Sequence, residues 1–69
     1  MKYVVLIERS PANYAAYVPD LPGCVATDAS VDEVTRNIRD AIELHLADLR
    51  EDDLPIPEPR AEPRVVEVA

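Results

Sequence analysis

The first 28 residues alternate between short apolar runs and turn-forming residues. Met1-Lys2-Tyr3-Val4-Val5-Leu6-Ile7-Glu8 is β-rich and apolar at nearly every position. Tyr3, Val5 and Ile7 fall on one face of such a strand, and Val4 and Leu6 on the other. A strand apolar on both faces is covered on both sides. Ser10-Pro11-Ala12-Asn13 reads as a hairpin loop. Residues 14–18 then form a second strand and residues 24–28 a third, a spacing that predicts an antiparallel meander. The link between the last two, Pro19-Asp20-Leu21-Pro22-Gly23, holds two prolines and the only glycine. Pro fixes φ near −65° and Gly permits positive φ, so this connection is written with one shape.

The hydrophobic period changes at Ser30. Ser30-Val31-Asp32-Glu33 is a capping box, in which an N-cap Ser and a Glu three residues on satisfy free backbone donors. Asp32 and Glu33 also complement the positive helix end. A helix is predicted over 31–51, with Val31, Val34, Ile38, Ala41, Ile42, Leu46 and Leu49 as its apolar stripe. Leu44 lies off that stripe and marks a second contact. The alternating prolines of Leu54-Pro55-Ile56-Pro57-Glu58-Pro59 exclude helix and favour an extended path. Residues 55–63 are thus a Pro-rich linker to a last short strand, Arg64–Val68.

The order is β-β-β-α-β, an α+β fold in one domain spanning 1–69. A right-handed crossover from the third strand sets the last strand beside the first. One helix covers only one sheet face, and the uncovered face is an apolar patch of the kind that marks an interface. A homo-oligomer is expected, either dimer or tetramer, with Tyr3, Val5, Tyr14, Tyr17 and Val18 at the subunit contact. Length supports this, because a domain of 69 residues without staples is marginal alone. The single Cys24 excludes an internal disulfide, and no Cys/His spacing suggests zinc. No cofactor is implied.

Fourteen acidic against seven basic residues give a net charge of −7. Phosphate backbones repel such a surface, so direct nucleic-acid binding is not expected. A basic protein partner fits better, alongside plain solubility. The N-terminal apolar run is too short for a signal-peptide core or a membrane span. With an unpaired cysteine this points to the cytoplasm.

Chemistry offers little. Cys24 as a nucleophile needs a base, and the only histidine, His45, sits within the helix's apolar stripe. A core thiol and a core or interface histidine are the simpler readings. Metal-dependent cleavage needs converging carboxylates. The first strand carries none before Glu8, and Asp40, Glu43 and Glu67 read as a solvated surface.

Three segments together resemble the HicB family of bacterial type II toxin–antitoxin systems. They are Tyr17-Val18-Pro19-Asp20-Leu21-Pro22-Gly23-Cys24, the helical Ala41-Ile42-Glu43-Leu44-His45-Leu46-Ala47-Asp48-Leu49, and Glu51-Asp52-Asp53-Leu54-Pro55-Ile56-Pro57-Glu58-Pro59. The resemblance implies a partial RNase H-like β-β-β-α-β unit, assembled as dimers or tetramers. It also implies a non-catalytic antitoxin that blocks a small basic mRNA-cleaving toxin of the HicA type. Asp20, Asp28, Asp48, Glu51 and Asp52 are the candidate toxin contacts, on charge and exposure. Asp53 stands where the family usually has Gly, so a differently shaped helix exit is expected. Many members carry a C-terminal DNA-binding domain; no such segment follows Val68, and operator binding is not expected of this chain alone. The other classes are a stand-alone structural or regulatory homo-oligomer with no toxin partner, and a degenerate RNase H-like nuclease.

Overall fold

The computed structural model describes residues 1–69. Three short strands, β1 (Leu6–Arg9), β2 (Tyr14–Tyr17) and β3 (Val25–Asp28), precede one helix, α1 (Val31–Glu51). The sheet is antiparallel in the order β1-β2-β3. The α+β class, the meander and the helix span agree with the sequence reading.

Register decides which side chains share a face. Ile7, Ala16 and Ala26 lie abreast, as do Leu6, Tyr17 and Val25. The first row faces α1. Its small residues let the helix approach closely, and Val34 and Ile38 of α1 are buried against Ala16, Val18, Leu21 and Cys24. Tyr3, Val5, Tyr14, Ala41, Ile42 and Leu46 pack around this cluster. Four of the five residues assigned to the uncovered face are therefore on the helix side, and Val18 is sealed in the core. Only Tyr17 lies on the uncovered face. The reason is periodic: Tyr14 and Tyr17 are three apart on a strand and must point oppositely.

Two further expectations need correction. β1 begins at Leu6 rather than Lys2, because its β2 partners run out at Tyr17 and residues 2–5 continue past them. Arg64–Val68 pairs with no strand of the chain, so the sheet has three strands, not four. These residues are extended and bare, with Val65 fully exposed and Val66 and Val68 76% and 83% exposed.

The helix starts as expected, with the Ser30 hydroxyl accepting the Glu33 N–H at 3.1 Å. Its exit is a Schellman motif. Leu54 N–H donates to Leu49 O at 2.8 Å and Asp53 N–H to Arg50 O at 3.2 Å. Asp53 takes φ 54°, the left-handed shape Gly adopts without cost. The exit thus keeps the glycine geometry with an aspartate in it, and adds a negative charge at the negative end of the helix dipole. Asp53→Gly is expected to raise stability by about 1 kcal/mol, read from urea unfolding at fixed chain concentration. An unchanged or lower midpoint contradicts this.

Candidate functional site

The Val18–Cys24 connection is two successive β-turns. Leu21 N–H donates to Val18 O and Cys24 N–H to Leu21 O, both at 3.1 Å. Pro19 and Pro22 occupy the second position of each turn. Gly23 has φ +84° with open space around its missing Cβ, so the type II geometry of the second turn, not crowding, requires glycine. Between the turns Leu21 drops fully into the core. The connection closes at its base, where Val18 N–H donates to Cys24 O.

Asp20, at the turn's tip, has an internal role. Its Oδ2 accepts the backbone N–H groups of Arg60 and Ala61, each at 3.0 Å. The Tyr3 hydroxyl donates to Pro57 O. These bonds strap the Pro-rich segment across the end of the sheet. A carboxylate accepting two backbone donors is a strong local anchor. It joins residues forty positions apart, and no local pattern announces it.

Asp28 is also engaged at home. Its carboxylate accepts Ala29 N–H at 2.7 Å and the side-chain amide of Asn37, fixing the entry to α1. The remaining candidates, Asp48, Glu51 and Asp52, are exposed at the C-terminal end of α1, next to Asp53. Four carboxylates there add to the negative pole of the helix dipole.

Beside this acidic end lies a shallow cleft of about 170 Å³, lined by Gly23, Cys24, Val25, Ala41, Leu44, His45 and Asp48. Leu44 and Val25 are 65% and 64% exposed, so the cleft has an apolar rim next to the acids. Cys24 itself is buried and burial pushes its thiol up, away from the reactive thiolate. A larger groove, about 520 Å³, separates residues 1–5 from α1. Tyr3, Val5, Ile38, Ile42 and Leu46 form its apolar lining, and Arg39, Glu43 and Arg50 its polar edge. Arg39 and Glu43 pair at 3.5 Å on the exposed helix surface. No three His, Cys, Asp or Glu side chains converge as a metal site, and no helix is long and apolar enough to cross a membrane.

Residues 3–67 match the family of the HicB-like antitoxin of bacterial toxin–antitoxin systems. The chain belongs to this family. Among relatives of this HicB-like chain, a UPF0150 protein of Helicobacter pylori is 49% identical over 49 residues, covering 71% of this chain and 68% of its own. A UPF0150 protein of the archaeon Archaeoglobus fulgidus is 40% identical over 47 residues, or 67% and 68% of the two chains. A solved HicA3 and HicB3 toxin–antitoxin complex shares the fold, with a TM-score of 0.74 at 24% identity over 88% of this chain and 71% of that one.

In this HicB-like chain the entry to α1 also carries a titrating pair. Glu33, when protonated, donates to the Asp28 carboxylate; this bond raises the Glu33 carboxyl and lowers that of Asp28, to which the Ala29 N–H adds. A raised folded-state midpoint gives stability that is complete below the unfolded midpoint and is lost as pH rises through the folded one. The depressed Asp28 contributes above its unfolded midpoint and loses its contribution as pH falls through the folded one. Glu33→Gln supplies a permanent donor. It is expected to raise stability at neutral pH and to abolish the loss between mildly acid and neutral pH, measured by urea unfolding over that range. An unchanged pH slope contradicts the pairing.

Proposed function

We propose that this chain is a non-catalytic antitoxin that binds and neutralises a small basic HicA-type mRNA-cleaving toxin in the cytoplasm. Family membership supports a toxin as the class of partner. The structural observation that carries the reading is the acidic end of α1, where Asp48 lines one cleft with the exposed Leu44 and Val25 and the exposed Glu51 and Asp52 follow at the helix end. The likeness of fold to a chain of a solved HicA3 and HicB3 toxin–antitoxin complex supports it.

The division of labour is physical. A net charge of −7, with four carboxylates grouped at the negative helix pole, steers a cationic partner and raises its association rate. Leu44 and Val25 then exclude water and slow dissociation. A toxin held there has its RNA-binding cations covered by carboxylates, so substrate and antitoxin compete for one surface. Asp20 and Asp28, committed to internal bonds, serve the shape of the docking face rather than the contact. The antitoxin acts as a homo-oligomer, with Tyr3 and Val5 in the groove and Tyr17 on the bare sheet face available to a second copy.

Co-purification from the native host followed by mass spectrometry is expected to recover a small basic protein at fixed stoichiometry. Asp48→Lys with Glu51→Lys is expected to slow its association by at least about tenfold at low salt. Leu44→Asp is expected to speed dissociation instead. Absence of any basic partner, or equal binding by all variants, contradicts the reading.

A further inference from the structure

The chain exposes 5529 Å², against about 4,300 Å² for a compact monomer of 7.7 kDa. The excess of about 1,200 Å² is the scale of surface that a specific protein–protein interface removes. Its radius of gyration is 13.4 Å, where about 11 Å suits a compact domain of this length. The departure comes from an arm. After the Asp20 anchor at Arg60 and Ala61, residues 62–69 are all exposed, and the molecule reaches 45 Å in its longest dimension against 27 and 16 Å in the others.

Two unfinished edges face solvent. The arm contains three β-branched residues, Val65, Val66 and Val68, bare of any sheet. Residues 1–5 run on from β1, and no backbone hydrogen bond outside the sheet and helix involves either stretch. Extended backbone left in this state on an apolar segment is a template for pairing. Between residues 1–5 and α1 lies the 520 Å³ groove.

We propose that the arm of one chain fills this groove on a second copy, as a fourth strand beside residues 1–5, and that the second copy returns its own arm. The chemistry matches in period 2. Val66 and Val68 share a face and meet Ile38 and Ile42. Arg64 and Glu62 on that same face meet Glu43 and the groove arginines. Glu67, on the other face, comes beside Lys2. The exchange is self-complementary and closes as a two-fold dimer. Toxin docking lies at the opposite cleft, so this inference stands without that reading.

The test mixes isotopically labelled and unlabelled full-length chains and records NMR contacts between them. Methyl contacts from Val66 and Val68 to Ile38 and Ile42 are expected across chains. Contacts found only within one chain, or none, overturn the proposal. Val66→Asp with Val68→Asp alters side chains that are 76% and 83% exposed in the single chain, and a far-UV circular dichroism spectrum unchanged from that of the parent shows that the protomer stays folded. It is expected to weaken dimerisation in sedimentation by more than about tenfold; unchanged association overturns the proposal. Basic-partner binding by the same variant is read separately, which tells failure of the exchange from failure of the antitoxin reading.

Discussion

The fold depends on one narrow contact, Leu21 dropping from the double turn onto Val34 and Ile38 of α1. These three are the largest fully buried side chains, in a cluster of only six buried residues. One helix can shield one face of a three-stranded sheet and no more. Everything beyond those six residues is half-buried or bare, including the groove between residues 1–5 and α1, the outer row of Leu6, Tyr17 and Val25, and the C-terminal valines. A core so small stabilises a chain weakly. The uncovered apolar surface and the marginal core are therefore one fact, and both point to other polypeptides as part of the folded state.

Local features were legible in the sequence because they are enforced locally. Ser30 and Glu33 mark the helix start, and Pro19, Pro22 and Gly23 specify the turns with no help from the rest of the chain. Leu44, off the helical stripe, does lie apart from the core at the rim of the cleft. Features that need a distant partner were not legible. Asp20 looked like an exposed acid because its partners, Arg60 and Ala61, are remote. The β character of Arg64–Val68 is real in its residues, yet a strand exists only with a neighbour to pair with. Alternation puts Tyr3 and Val5 on one strand face, but nothing local says which face the helix covers, and the structure sets them and Tyr14 on the helix side with Val18 in the core. Asp53 was expected to alter the helix exit, but aspartate tolerates the left-handed shape well enough for the Schellman bonds to impose it.

Function follows from the division of the surface. The acidic end of α1 and its apolar rim are free of internal duties, whereas Asp20 and Asp28 are tied into the scaffold. The carboxylates of Asp48, Glu51 and Asp52 make no internal side-chain bond, which leaves them free for the partner contact proposed above. The groove and arm lie away from it. The proposed self-association and the proposed partner contact therefore use separate surfaces.

The central claim is that a second chain stabilises the folded state. The most direct measurement is the thermal midpoint of the pure protein across a wide range of chain concentrations. Coupled folding and association make the midpoint rise with concentration, and that rise is what this account predicts. A midpoint independent of concentration, with a monomeric mass throughout, would contradict it.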